Sequence, residues 1–270
     1  MIRDITLGQY FPEESRIHKL DPRVKIIMAL AFIVALFLVK DFIGFAIAAT
    51  TLAIVIALSK VPFGFLVRGL KPILIIIIFT FTVNMFMIGG EVLWKWGFLH
   101  ITREGLNTAV FMAIRLILLI MGSSLLTLTT KPINLTDGIE SLLKPLRIFK
   151  VPAHELAMMM TIALRFIPTL LEETDKIMKA QMARGADFES GNILNRAKSL
   201  IPLLVPLFIS AFRIAQDLAL AMEARCYRGG DNRTRMNAIK IGPRDGFALF
   251  LLILFVAVIV AEPYIIGQII

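Results

Sequence analysis

The sequence predicts an all-α integral membrane protein with about five transmembrane helices and a cytoplasmic domain of long helices. Three observations predict it. Of 270 residues, 57% are hydrophobic and only 18% charged, against roughly 45–50% and about 25% in soluble chains, and mean hydropathy is +0.80. Several apolar runs approach or reach the roughly 20 residues that cross a bilayer. The basic residues fall between those runs, mostly on one side. This balance excludes an ordinary cytosolic enzyme, a disordered chain and a disulfide scaffold; Cys226 is the single cysteine.

Residues 1–23 are polar and form an N-terminal cytoplasmic segment without the pattern of a secretory signal. Residues 24–129 hold four transmembrane helices. The runs 24–39 and 42–58, split by Lys40-Asp41, form a transmembrane hairpin. Pro72 opens a third span over 72–88 from a position where its missing N–H matters little. Gly64–Lys71 resembles a phosphate loop but lacks lysine after the second glycine, and reads as a short cytoplasmic turn. Thr102 can cap a fourth span over about 105–129. Residues 242–270 hold the final helix, introduced by Gly242-Pro243 and spanning about 246–266.

With the N-terminus inside, all but four of the 29 Lys and Arg residues lie on the inner side; the four are Lys40, Lys95, Arg103 and Arg115. That asymmetry sets the predicted orientation, and it assigns the net charge of +9 to anionic lipid rather than nucleic acid. Trp94 and Trp96 then sit near the outer interface as anchors.

Residues 130–241 alternate charge with apolar helical stretches and form the cytoplasmic helical domain. A helix starts at Thr136 or Asp137 and runs toward Lys150. A second follows Pro152 as far as Gly185, and a third covers about 193–228. The apolar run 201–212 is too short to span before Arg213, so the last two read as long helices packed at the cytoplasmic face. Arg213 and Asp217 are four apart and can pair locally.

No catalytic or metal pattern stands out. His18, His100 and His154 are dispersed, with His100 expected on the opposite side of the membrane. Glu172-Glu173-Thr174-Asp175 reads as a solvated helix face beside Lys176 and Lys179. Arg115, mid-span, must face protein or water; it either bonds backbone carbonyls or meets a membrane partner. Met158, Met159 and Met160 either fill a core or offer an adaptable binding surface, as thioethers do.

Two arginines are more telling. Ala183-Arg184-Gly185 ends the second cytoplasmic helix, and Ala224-Arg225-Cys226 lies near the end of the third, with Gly185 and Gly229 as helix stops. Alanine lets a helix end enter a groove, and arginine offers a fork to a carboxylate.

At these residues the chain resembles the transmembrane T components of energy-coupling factor (ECF) transporters, the EcfT family, over nearly its whole length. LGQYFPEESRIHKLDPRVKI is similar to that family's opening segment, and HELAMMMTIALRFIPTLLEE to its cytoplasmic-helix segment. The family's two short Ala-Arg-Gly-type motifs map onto Ala183-Arg184-Gly185 and Ala224-Arg225-Cys226; the second departs at Cys226, where the simplest pattern has glycine. The resemblance implies a non-catalytic scaffold in a prokaryotic plasma or inner membrane, without a cofactor of its own. Its implied partners are two EcfA-type ATPases, which carry ATP and magnesium, and a small substrate-binding S component for a vitamin or other micronutrient. Arg184 and Arg225, with their flanking residues, would dock into the ATPases. The Met-rich face around Met158–Met160 would hold the S component, and the opening segment resembles the type that serves exchangeable S components. Two alternatives are the T component of a dedicated cobalt or nickel transporter and, from another class, an intramembrane transferase. A freestanding channel or carrier fits poorly with a 112-residue cytoplasmic segment.

Overall fold

The computed structural model describes residues 10–96, 99–149, 152–186, 188, 199–229 and 242–266. The described chain is almost entirely helical. Its helices are α1 Pro22–Leu38, α2 Phe42–Ser59, α3 Phe63–Leu70, α4 Leu74–Met87, α5 Arg103–Thr129, α6 Pro132–Leu143, α7 Ala153–Ala183, α8 Ile201–Ala224 and α9 Pro243–Ile266. Short 3₁₀ turns, Lys71–Ile73 and Lys144–Phe149, join α3 to α4 and follow α6. Two compact units result, one from Gly8–Gly138 with Ala238–Ile270, the other centred on Ile139–Asn237.

The first unit is a helical bundle around α5, which packs against α1, α2, α3 and α4, while α9 packs on α1. Its core joins Leu36, Phe45, Ala48, Leu118, Leu125 and Ile259. Close approach depends on Gly122 of α5: a Cβ there would lie 2.7 Å from the Phe32 ring of α1, the small-residue contact typical of membrane helices. The helix ends are fixed by local chemistry. Asp21 accepts from the Arg23 amide at 2.8 Å, and Thr102 accepts from the Gly105 amide at 3.1 Å. Asp245 ties the start of α9 to the start of α1, accepting from the Gly242 and Asp21 amides at 2.8 Å each. Lys25 Nζ, buried, donates to Thr129 O at the end of α5 at 2.9 Å. The beginnings of α1 and α9 and the end of α5 therefore share one end of the bundle. Mid-bundle, Arg115 donates to Val39 O at 3.0 Å, between the Phe37 and Phe45 rings. Of the two options for this arginine, the backbone carbonyl is the one realised.

Six described helices are long and apolar enough to cross a membrane: Phe42–Ser59, Phe63–Met87, Arg103–Thr129, Ala153–Ala183, Ile201–Ala224 and Pro243–Glu262. The chain is a multi-pass membrane protein. The 17 residues of α1 sit at the short end of the spanning range. α7 and α8 meet the same measure of length and composition although their charges led the sequence reading to place them outside the bilayer.

Several boundaries correct the sequence reading. Residues 63–70 are helical, not a turn, because Pro62 sits at the N-cap where a proline is harmless and neither Gly64 nor Gly69 breaks so apolar a run. α6 begins at Pro132 rather than at Thr136 or Asp137, since proline at the first position pre-sets φ. The segment between α4 and α5 forms an antiparallel hairpin, Val92–Trp96 with Leu99–Thr102, pairing Trp94 with Ile101 and Lys95 with His100. The side chains of Trp94, Trp96 and His100 lie outside the described residues, as do positions 193–198 of the third predicted cytoplasmic helix. Arg213 and Asp217 are exposed and form no ion pair among the described residues.

Candidate functional site

The second unit pairs α7 with α8. α7 starts directly after Pro152, as the sequence predicts, and runs 31 residues to Ala183; α8 runs 24 residues to Ala224. Both helices end in the same way. Ala183 and Ala224 are the last helical residues, and Arg184 and Arg225 are the C-caps, with φ, ψ of −89°, 5° and −90°, 12°. Gly185 and Cys226 follow in the left-handed region, at φ +89° and +56°. The Gly185 amide donates to Met182 O and the Ala186 amide to Gln181 O, both at 3.0 Å. At the other tip, the Cys226 amide donates to Glu223 O at 2.8 Å and the Tyr227 amide to Met222 O at 3.0 Å. Each pair of bonds is a Schellman cap. Cys226 thus occupies the glycine position and stops α8. Gly229, the stop expected from sequence, lies three residues further on.

Arg184 and Arg225 are both exposed, and neither makes a side-chain hydrogen bond or ion pair among the described residues. Each is a cation at the negative end of a long helix dipole, a favourable place for it. They are not brought together. Gln181 Nε2 donates to Pro202 O at 3.4 Å, so the tip of α7 lies by the start of α8. The helical run from Pro202 to Arg225 covers about 35 Å at about 1.5 Å per residue, leaving the two tips more than about 20 Å apart. This arrangement presents two similar, separated cationic ends.

The flanks of these helices are apolar and open. On α8, Ile201, Leu204, Val205, Phe208, Ile209 and Phe212 are each more than half exposed, and their spacing places them on one stripe. On α7, Met159 is 57% exposed, while Met158 and Met160 are half-buried. Of the alternatives for the methionines, Met159 fits an open surface and its two neighbours lie at its edge. The α8 stripe is a feature that the sequence reading passed over; its signal was the helical spacing of large apolar residues between Ile201 and Phe212.

Other predicted candidates fall elsewhere. His18 bonds Ser15 Oγ at 2.7 Å and Phe11 O at 3.1 Å. Burial, followed by the nearby Lys25 ammonium, pushes its pKa below the ordinary value. His154 Nδ1 meets the buried Glu140 carboxylate at 3.1 Å, a pairing that sequence distance concealed. Glu173 pairs with Lys176 at 3.7 Å along one turn of α7. Among the described residues no group of three or more His, Cys, Asp or Glu side chains is placed to hold a metal.

Comparison with known proteins gives a coherent result. The family model described as CbiQ, cobalt transport protein, matches residues 13–236. An "energy-coupling factor transporter transmembrane protein EcfT" of Thermosediminibacter oceani is 63% identical over 244 residues, 90% of this chain and 92% of that one. A protein of the same description from Clostridium kluyveri is 60% identical over 260 residues, 96% of each chain. Another, from Bacillus subtilis, is 46% identical over 260 residues, 96% of this chain and 98% of its own.

Proposed function

Since the chain belongs to the EcfT family of energy-coupling factor transporter transmembrane proteins, we propose that it is the non-catalytic scaffold of an ATP-driven importer. It joins two partner ATPases, which bind ATP and magnesium, to a small membrane subunit that binds a vitamin or another micronutrient. Arg184 and Arg225 dock into one ATPase each, and the α8 stripe with Met159 receives the substrate-binding subunit. The chain lies in a prokaryotic plasma or inner membrane with its N-terminus in the cytoplasm.

The observation that carries this reading is the duplicated helix tip. Two arginines stand on the same cap, unpaired among the described residues and more than about 20 Å apart by helix rise, which suits engagement of two subunits rather than one. The dedicated cobalt or nickel alternative shares the architecture and the family description. The near full-length match to proteins described as EcfT favours the energy-coupling factor reading, and the resemblance of the opening segment suggests exchangeable partners.

Losing one member of a desolvated interfacial charge pair costs about 2–5 kcal/mol. The Arg184→Ala/Arg225→Ala double variant is therefore expected to lose recovery of the ATPases on affinity isolation, or to keep them while uptake stops. Arg213→Ala, which removes an exposed arginine away from either tip, should leave both intact. Wild-type uptake together with wild-type ATPase recovery in the double variant would refute the docking role.

A further inference from the structure

At the end of the bundle where α1 begins and α5 stops lies a cavity of about 240 Å³. Its wall includes Lys25 in the first turn of α1, Thr130 and Lys131 just past α5, and Asn134 in the first turn of α6. Several hydrogen-bond donors converge there. Thr130 is only 4% exposed, and its Oγ1 has no hydrogen-bond partner among the described residues, an exception among buried polar groups. Lys25 Nζ donates to His18 O at 3.1 Å and Thr129 O at 2.9 Å; an ammonium has three donors, so one remains. α6 opens with Pro132, which has no N–H; the Ile133 and Asn134 amides that follow have no acceptor within the helix, and Asn134 lines the cavity at this positive dipole end. Exposed Lys131 holds its Nζ 5.6 Å from the Tyr10 ring, another wall residue. Of the two wall carboxylates, Glu14 is paired with Lys19 at 2.8 Å; the buried Asp21 and Asp245 carboxylates also act on Lys25, so the exposed Lys131 is the cation most open to a ligand.

We propose that this cavity is a phosphate site which receives the headgroup of an anionic phospholipid. A helix N-terminus, two ammonium groups and an unpartnered hydroxyl together match the oxygens of a phosphate. The volume lies below the roughly 300–1,000 Å³ of small-molecule pockets, so it admits a headgroup rather than a nucleotide. Basic pockets at the cytoplasmic ends of membrane helices meet lipid phosphates. That placement rests on the orientation given under Proposed function.

The test uses the full chain in nanodiscs of phosphatidylcholine, titrated with phosphatidylglycerol or, separately, with inorganic phosphate. Retained lipid is read by native mass spectrometry and stability by the unfolding midpoint. The expected result is selective retention of phosphatidylglycerol that falls about tenfold in Thr130→Val and in Lys131→Gln, the loss of one charge-assisted contact. The midpoint in phosphatidylcholine alone should stay unchanged, which shows that the variants fold. A midpoint shift reproduced by inorganic phosphate, with displacement of phosphatidylglycerol, supports the site and assigns its source as soluble. Equal retention in wild type, Thr130→Val and Lys131→Gln, or no response to either probe, overturns the proposal. Neither measurement involves the ATPases, so a failure here leaves arginine docking intact, and loss of docking leaves this result intact.

Discussion

At the residue scale, Cys226 shows how much a single backbone angle decides. A left-handed residue with a Cβ is strained by roughly 1–2 kcal/mol, yet Cys226 sits at φ +56° and closes the same cap that Gly185 closes at +89°. Replacing it with glycine removes the strain while leaving Arg225 in place. Cys226→Gly should raise hydrogen-exchange protection in the last turn of α8 about two- to fivefold, for a net gain of about 0.5–1 kcal/mol. ATPase recovery should be unchanged. Lower protection in this variant would show that the thiol makes a compensating contact. The two Ala-Arg tips were legible in the sequence because the same residues recur at two helix ends. That both ends share one cap was not legible, since cysteine gives no local signal for positive φ.

At the scale of elements, hydrogen bonds tie the segment from Phe11 to His18 to the bundle and fold it on itself. The Phe11 amide donates to Leu128 O at 2.9 Å, and His18 bonds Phe11 O. Burial and Lys25 lower the His18 pKa in the folded chain, so the opened segment binds protons more readily than the closed one. Its stability is complete above about pH 6.5, the unfolded value, and declines as pH falls toward the lower folded value. Hydrogen exchange over residues 11–20, corrected for intrinsic rates, should therefore speed up between pH 7.5 and pH 5.5, and His18→Asn should abolish the difference. An exchange rate indifferent to pH would contradict this account. Element boundaries were legible where boundary chemistry is local: Thr102, Pro152 and Gly242-Pro243 mark real helix starts. They were misread where context overrode it. Gly64 and Gly69 looked like a turn, and Thr136 and Asp137 looked like caps, but an apolar run and Pro132 each carried the helix through. The hairpin had a signal in the alternation of Trp94, Lys95 and Trp96, outweighed by the expectation of an outer loop.

At the scale of the whole molecule, a count of basic residues predicts the orientation, and the bundle supplies a geometric frame for testing it. Asp245 and Lys25 gather the starts of α1 and α9 with the end of α5, so Arg16 lies toward that end and the α4–hairpin loop at the other. In a Cys226→Ser background, Gly89→Cys should react with an impermeant maleimide in intact cells; a Cβ at Gly89 meets nothing within 4 Å. Arg16→Cys should react only after permeabilisation. Labelling of both from the same face would overturn the assigned topology. The separation of the arginine tips could not be read beforehand, because it depends on how two long helices meet through Gln181 and Pro202.

The uncovered stripe of α8 has a bearing on how the cell must make this protein. Wherever lipid does not cover it, a lone copy displays Phe208, Phe212 and their aliphatic neighbours as an adhesive surface, and surfaces of that kind invite aggregation or recognition by quality-control proteases. If the chain is the scaffold proposed above, its abundance would follow that of the subunits that cover the stripe.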